Sequence, residues 1–282
     1  MIQNQITLVQ ALVMAVLQGI SELFPISSLG HSVVVPRLIG WNMDTTSEAF
    51  LPFLVALHLG TAVALALYFW RDWWELLQGL LPSPVTQITQ AAPSSRHMLA
   101  MLVLGTVPAG ILGLLLEKRL AALFGQYQAV ALFLVLNGVM LLVGDWLRRR
   151  SRSKDLAQLR PSEALTIGLA QAIALLPGFS RSGAAMVGGL AVGLAHEAAA
   201  RFAFLLSTPI ILAAAVLELP KLGRLELASQ VEPILVGAVV AGVVAYLSTA
   251  FLMRYFRTHE VNALLPFAVY CAVLGTIALV GG

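Results

Sequence analysis

Four side chains that could act on a phosphate lie inside stretches that are otherwise apolar. Glu22, Ser28 and His31 are close together near the N-terminus, and Arg181 lies in a second such stretch. Ser28 and His31 are three residues apart, so both can face one side of a helix and form a nucleophile and base pair. The pattern Ser-x-x-His also recurs by chance, and Ser27 or Ser28 could simply cap the helix.

The residues around Arg181 have the composition of an anion-binding turn. The segment reads Pro177-Gly-Phe-Ser-Arg-Ser-Gly183, and a helix is predicted to begin near Ser182. The first amides of a helix have no partners within it and carry partial positive charge. A guanidinium adds a planar fork of donors that fits phosphate. The turn therefore predicts a phosphate site.

Ionisable residues within a membrane segment are costly and suggest function. For Glu22 and Arg181 one alternative is a structural ion pair that locks two segments together. Gln18 and Glu22 are four residues apart, hence on one helical face, and with substrate phosphates they could hold a divalent cation such as Mg²⁺ or Ca²⁺. His58, inside an apolar span, is expected to be a satisfied core histidine, and Asn137 an interhelical hydrogen-bonding residue.

The composition restricts the class of protein in which these residues can act. Of the 282 residues, 59% are hydrophobic and 11% charged, whereas soluble domains have about 25% charged residues. This excludes a soluble enzyme and a disordered chain. The net charge of +3 without a basic face argues against nucleic-acid binding. The single cysteine, Cys271, excludes an intramolecular disulfide. A polytopic membrane protein remains.

The hydropathy pattern predicts two kinds of membrane segment. Two apolar regions, 6–39 and 164–194, are each broken by prolines and serines, and we predict that they are re-entrant helix hairpins, because irregular backbone at membrane depth must be buried or line a cavity. Six further stretches are long enough to span a bilayer. They are 51–70, 98–116, 129–147, 199–219, 233–253 and 264–280.

The two halves of the chain resemble each other. The first hairpin can be aligned with the second, which pairs Gln18 with Gln171, Ser27 with Ser180, and Gly30 with Gly183. Three predicted spans follow each hairpin, and because three is odd, the second copy has inverted topology. We predict repeats at 1–150 and 162–282, joined by a basic linker at 151–161. Basic loops stay cytoplasmic, so the first hairpin should open to the outside.

These motifs resemble those of the integral-membrane undecaprenyl pyrophosphate phosphatases of the bacitracin-resistance type. The resemblance covers essentially the whole chain. It implies an all-α fold with six spanning helices and four helices in two re-entrant pairs, and an active site on the periplasmic or outer side of the bacterial plasma membrane. It is carried by Gln18-Gly-Ile-Ser-Glu22, Phe24-Pro-Ile-Ser-Ser-Leu-Gly-His31 and Leu176-Pro-Gly-Phe-Ser-Arg-Ser-Gly183.

The resemblance assigns catalysis to Ser28, His31, Glu22 and Arg181. In the expected mechanism Ser28 attacks the terminal phosphorus, His31 accepts its proton or activates water, and Glu22 either orients His31 or binds metal with Gln18. The residues expected to bind the substrate phosphate are Ser27, Ser180, Arg181, Ser182 and Gly183. The chain departs from many relatives at three positions, with Gln18 in place of glutamate, Ala185 in place of threonine and Leu54 in place of an acidic residue.

The implied reaction is hydrolysis of a polyprenyl diphosphate to the monophosphate and inorganic phosphate, which recycles a lipid carrier of cell-wall synthesis. The expected partners are this lipid and the membrane, with no nucleic acid. A homodimer is left open. The main alternative is a polyprenyl-phosphate transporter, or flippase, because inverted repeats with broken helices are a transporter architecture. A nucleophile and base pair favours the enzyme, since binding alone does not need one.

Overall fold

The structure, a computed structural model, describes residues 6–41, 50–80, 91–150, 154–222 and 231–281. Within these residues the regular structure is helical apart from two isolated bridges, as the composition predicts. In chain order the helices are α1 (Leu8–Ser21), α2 (Ser28–Leu38), α3 (Phe50–Tyr68), α4 (Trp70–Gln78), α5 (Ala91–Phe124), α6 (Tyr127–Arg150), α7 (Pro161–Ala172), α8 (Arg181–Ala191), α9 (His196–Leu222), α10 (Val231–Thr258) and α11 (Leu265–Gly281).

Several of these helices can cross a membrane. In the described part of the chain, four segments are long and apolar enough, and α3 with α4 forms a fifth if the bent pair is counted as one span. Their outer faces are apolar: Leu115 on α5 and Val239 on α10 are 74% and 66% exposed. Such faces would aggregate in water and fit a lipid environment. The four segments are Ser95–Leu116, Tyr127–Arg149, His196–Ala214 and Val231–Thr258.

Two of the six predicted spans differ from simple straight helices of bilayer length. The segment predicted at 51–70 is α3, and the chain bends by 71° at the end of this segment, where α4 begins. The buried ring of Phe69 marks the bend, and Trp70 and Trp74 on α4 are exposed, as interfacial aromatic residues are. The segment predicted at 264–280 is α11, which has 17 residues and is shorter than the others.

The two predicted breaks are present as two broken helix pairs. The first helix pair, α1 with α2, is interrupted at residues 22–27, and the second helix pair, α7 with α8, at residues 173–180. The side chain of Thr7 accepts from the Gln10 amide, and the Gln10 side chain accepts from the Thr7 amide, which fixes the start of α1. Pro161 at the first position of α7 plays a similar part, since its fixed φ suits a helix start.

Each helix pair packs against helices from the other half of the chain. Helix α1 lies along α10, and α7 lies along α5. Both contacts are close because glycines face backbone: a Cβ on Gly19 would lie 2.7 Å from the Ala241 carbonyl oxygen, and one on Gly168 would lie 2.5 Å from the Gly105 carbonyl oxygen. Helix α6 packs against α11, α2 and α8. The turns of the two pairs therefore meet inside the bundle.

Candidate active site

The first turn places Glu22 and Ser28 at the facing ends of two helices. Glu22 caps the C-terminal end of α1, and Ser28 is the first residue of α2. Ser27 is the N-cap, and its hydroxyl accepts from the Gly30 amide at 3.1 Å. The backbone of Ser27 has φ 73°, a conformation that costs a non-glycine residue on the order of 1 kcal/mol or more. The cap and this unusual backbone together turn the start of α2 toward Glu22.

The buried carboxylate of Glu22 is the centre of the site. Its Oε2 atom accepts from the Ser28 hydroxyl at 2.5 Å and from Gln18 Nε2 at 3.1 Å. Its Oε1 atom accepts from the guanidinium of Arg181, which comes from the second helix pair. Nε2 of His58 is 3.4 Å from Oε2. Ser28 and Arg181 are only partly buried, so both can reach a substrate while Glu22 stays covered.

The structure pairs Ser28 with Glu22 rather than with His31. The Nδ1 atom of His31 lies 2.6 Å from the Ser27 carbonyl oxygen, which can only accept, so Nδ1 carries the proton. Its Nε2 atom then accepts from the hydroxyl of Tyr270 at 2.8 Å. His31 is thus buried and engaged at both ring nitrogens, and its bond to the Ser27 carbonyl supports the unusual backbone before Ser28.

The second turn uses most of its polar groups within the protein. Ser180 is the N-cap of α8, and its hydroxyl accepts from the Gly183 amide at 3.1 Å. The Ser182 hydroxyl lies 3.0 Å from the Ser180 hydroxyl and 3.3 Å from the Glu22 carbonyl oxygen. Of the residues predicted here to bind phosphate, Ser180, Ser182 and Gly183 therefore contribute to the turn and its contact with the first turn. The charged group that this turn presents is Arg181.

Asn137 of α6 connects the two turns. Its side-chain nitrogen donates to the Pro25 carbonyl oxygen at 2.9 Å, and its side-chain oxygen accepts from the Ser180 amide at 2.9 Å. The same side-chain nitrogen also donates to Cys271 Sγ on α11 at 3.3 Å, which confirms the predicted interhelical hydrogen bond. Because the groups are buried, losing this side chain would leave two backbone atoms without partners.

Two glycines allow the turns to touch. A Cβ on Gly30 of α2 would lie 3.3 Å from Gly178 Cα in the second turn, and a Cβ on Gly183 of α8 would lie 3.0 Å from Pro25 Cβ in the first. The first turn therefore packs against Gly183, which follows the second turn, and the second turn packs against Gly30, which follows the first. This contact brings Ser28 and Arg181 to the same carboxylate.

The site residues do not form a metal centre by themselves. Among the described residues there is no group of three or more His, Cys, Asp and Glu side chains that could hold a metal ion. Both oxygens of Glu22 already face donors, and the Gln18 amide is one of them. Gln18 and Glu22 alone therefore do not fit a bound cation.

Sequence reasoning missed two members of the site. His58 is in contact with Glu22 and is more than the satisfied core histidine that we expected. The available signal was an ionisable side chain inside an apolar span. Tyr270 of α11 reaches His31 from a position 239 residues away, and no local spacing marks that contact.

Comparisons with known proteins converge on one family. The family described as "Bacitracin resistance protein BacA" matches residues 11–277. The chain is 52% identical over 274 residues to a protein of Acidiphilium cryptum named undecaprenyl-diphosphatase, covering 96% of each chain. It is 49% identical over 272 residues to undecaprenyl-diphosphatase 2 of Chromobacterium violaceum, covering 96% of this chain and 97% of the relative. A protein named undecaprenyl-diphosphatase from Granulibacter bethesdensis is 50% identical over 285 residues, covering 96% of this chain and 95% of the relative.

Proposed function

Given that the chain belongs to the BacA family of bacitracin resistance proteins, we propose that it hydrolyses undecaprenyl diphosphate to undecaprenyl phosphate and inorganic phosphate. Relatives about half identical over nearly the whole chain are named for this activity. The observation that carries the proposal is the convergence of Ser28 and Arg181 on the buried carboxylate of Glu22. A hydroxyl next to a base, with a guanidinium beside it, is the arrangement that phosphoryl transfer needs.

In the proposed first step, Ser28 Oγ attacks the terminal phosphorus while its proton passes to Glu22 Oε2. The bond from that phosphorus to the bridging oxygen breaks, and undecaprenyl phosphate leaves. In the second step, water attacks the phosphorus of phosphorylated Ser28, and Glu22 returns its proton to the serine oxygen. One proton of the water stays on the attacking oxygen and the other passes to a second phosphate oxygen, so free phosphate leaves and the enzyme is restored. The distance of 2.5 Å from the Ser28 hydroxyl to Glu22 Oε2 supports this choice of base.

Arg181 is proposed to bind the phosphate that is transferred. Its guanidinium is paired with the Glu22 carboxylate. Transfer of the Ser28 proton to Glu22 removes the negative charge of the carboxylate and weakens that pair. The fork of donors is then available to the equatorial phosphate oxygens, where charge must be stabilised during phosphoryl transfer.

His31 remains the alternative base of the sequence-based mechanism. Its Nε2 atom accepts from Tyr270, so it could take a proton only after that hydroxyl moves away. A divalent cation, Mg²⁺ or Ca²⁺, stays a prediction, because Gln18 and Glu22 do not fit a metal alone and the substrate phosphates would have to supply further ligands. A homodimer also stays open, and the mass of the detergent-solubilised protein would decide it.

The proposed architecture is an inverted repeat, 1–150 and 162–282, with six spans and two re-entrant helix pairs. Reciprocal packing supports it, because α1 lies along α10 as α7 lies along α5.

The proposed location is the bacterial plasma membrane, with the linker at 151–161 in the cytoplasm and the site open to the periplasm or exterior. A cysteine placed at Ser153, with Cys271 replaced by serine, should resist a membrane-impermeant thiol reagent until the cells are permeabilised. Labelling in intact cells would contradict the orientation.

The direct test of the activity is an assay of phosphate release by the purified protein in detergent with undecaprenyl diphosphate, with and without EDTA. We expect release, and loss with EDTA would support a cation that enters with the substrate. The transporter alternative is not supported by the relatives, whose names describe a diphosphatase. Movement of undecaprenyl phosphate across vesicles, with no phosphate released from the diphosphate, would reverse that conclusion.

A further inference from the structure

His58 joins the site from a helix that belongs to neither broken pair. It lies within α3, and its side chain is 21% exposed. Its Nδ1 atom is 2.8 Å from the Leu54 carbonyl oxygen, one turn earlier in the same helix. Its Nε2 atom is 3.4 Å from Glu22 Oε2, the same oxygen that accepts from the Ser28 hydroxyl.

The partners of the imidazole determine its charge. The Leu54 carbonyl can only accept a hydrogen bond, so Nδ1 of His58 carries a proton. A neutral ring would then direct the lone pair of Nε2 at the carboxylate of Glu22, which is unfavourable. Both contacts are satisfied only when Nε2 is protonated as well, which makes His58 an imidazolium. In the described part of the chain, the charged groups that face it are Glu22 from α1 and Arg181 from α8.

We propose that His58 is a positioning residue for the attack by Ser28, holding Glu22 Oε2 toward the serine hydroxyl. The proposal rests on the function proposed above. In that mechanism Arg181 turns from Glu22 to the substrate phosphate, which removes one of the two cations from the carboxylate. The ring of His58 is held on α3 by its bond to the Leu54 carbonyl, so the carboxylate keeps one fixed partner when Arg181 moves to the phosphate.

Gln18 cannot replace His58 in this role. Its amide donates to Glu22 Oε2 at 3.1 Å, but the amide is neutral, so it adds no attraction between opposite charges to the hydrogen bond. His58 also approaches Glu22 from a different helix, whereas Gln18 lies on the same helix as Glu22. Only His58 therefore ties the carboxylate to α3.

The test compares two substitutions of His58 with a matched histidine elsewhere. His58→Leu removes the donor to Glu22, and His58→Gln can keep a neutral donor there. His97→Leu is the control, because His97 also bonds a backbone carbonyl, that of Leu159 at 2.7 Å, but lies outside the site. The measurements are kcat and KM for phosphate release from undecaprenyl diphosphate in detergent, and the thermal unfolding midpoint of each variant.

We expect His58→Leu to lower kcat about 10- to 100-fold, in line with the loss of a hydrogen bond to a charged group. KM should change less than about threefold, because His58 does not touch the substrate. His58→Gln should recover at least part of the lost kcat, and His97→Leu should keep the kcat of the wild type. A His58→Leu enzyme with unchanged kcat would overturn the proposal. A loss of kcat/KM that comes from a higher KM alone would overturn it too.

A double variant separates an effect through Glu22 from a general loss of packing. If His58 acts through Glu22, His58→Leu should shift the unfolding midpoint much less in a Glu22→Gln background than in the wild type, because the two substitutions remove the same interaction. Equal shifts in both backgrounds would contradict the proposal, even if His58→Leu alone folds too poorly to be assayed. Wild-type protein that releases no phosphate would instead count against the proposed function.

Discussion

The turns of the two helix pairs share a frame but present different side chains. In each turn a serine caps the second helix by accepting from the amide of the glycine three residues later, at 3.1 Å in both cases. The next residue, the first of the helix, is Ser28 in the first pair and Arg181 in the second. Equivalent positions thus supply the proposed nucleophile and the proposed phosphate-binding group.

The helices that lead into the turns differ in the same way. Gln18 of α1 donates to Glu22 within the site, whereas its counterpart Gln171 of α7 donates to the Gly105 carbonyl oxygen at 2.7 Å and serves packing. The residue aligned with Glu22 in the second pair is Leu175. A repeated backbone frame therefore places two turns side by side, and a few substitutions give one of them the base and the nucleophile.

The largest expected effect comes from removing the nucleophile from the first turn. Ser28→Ala should lower kcat by about 1,000-fold or more, as losing a nucleophile does. The matched control is Ser32→Ala, one helical turn later, because the Ser32 hydroxyl donates only to the Leu29 carbonyl of its own helix. That variant should stay close to the wild type in phosphate release. Near-normal hydrolysis by Ser28→Ala would mean that water attacks directly.

The second turn should be sensitive to the shape of its cation and not only to its charge. Arg181→Lys keeps the charge but loses the planar fork, and we expect about a 100-fold loss of kcat/KM, the scale of losing one preorganised donor to transition-state charge. Arg257→Lys, at the exposed end of α10, is the control and should leave kcat/KM unchanged. An active Arg181→Lys enzyme would show that this turn provides charge alone.

The link between the two turns can be broken at Asn137. Asn137→Ala should destabilise the protein by about 2–4 kcal/mol, because the Pro25 carbonyl and the Ser180 amide both lose a buried partner. Asn137→Asp keeps the acceptor for the Ser180 amide but cannot donate to Pro25, and its cost should differ from that of the alanine variant. Thermal unfolding in detergent measures both. A stable Asn137→Ala protein would show that the turns hold together without this side chain.

The close approach of the turns predicts the same response on both sides. Gly30→Ala and Gly183→Ala should each destabilise the protein by about 1–3 kcal/mol, because the added methyl group would crowd both the opposite turn and the capping serine of its own turn. Gly110→Ala in α5 is the matched control: its Cβ would meet nothing within 4 Å, and alanine stabilises a helix by up to about 1 kcal/mol over glycine. If only one of the two turn glycines is sensitive, the contact is not reciprocal.

The smallest effect separates the two caps. Ser27 has φ 73° and Ser180 has φ −86°, so glycine relieves backbone strain only at the first position. Ser180→Gly should lower the free energy of unfolding by about 0.3 kcal/mol, because glycine is a slightly weaker helix cap. Ser27→Gly should be neutral or slightly stabilising, because the relief offsets the lost cap. Unfolding midpoints of the two variants, compared side by side, test this, and equal losses would show that Ser27 is not strained.

Much of this arrangement can be predicted from the sequence, because the residues that mark it carry a cost in free energy within a membrane. Prolines and serines that interrupt apolar stretches indicate the broken pairs, and Glu22 and Arg181 stand out because ionisable groups in a membrane are costly. Family motifs then point to Ser28 and His31. The sequence also indicates that the two turns are related, through the paired serines and glycines that the structure shows as caps and contact points.

The partner of Ser28 could not be read from spacing. The three-residue separation of Ser28 and His31 suggests a pair, but the backbone of Ser27 and the contact with Tyr270 turn His31 elsewhere. Side-chain direction depends on such local geometry and on helices distant in sequence. The bend between α3 and α4 was not predicted for a similar reason. Hydropathy indicates which residues lie in lipid, but it does not indicate the direction of the helix axis.

The central claim is that Ser28, activated by Glu22, becomes covalently phosphorylated. The most direct test is to incubate the purified enzyme with undecaprenyl diphosphate labelled in its terminal phosphate, to quench in acid during turnover, and to identify the labelled peptide. The label should be found on Ser28 in the wild type, and Ser28→Ala should carry none and release almost no phosphate. Rapid phosphate release by the wild type without any labelled Ser28, together with an active Ser28→Ala enzyme, would contradict the account.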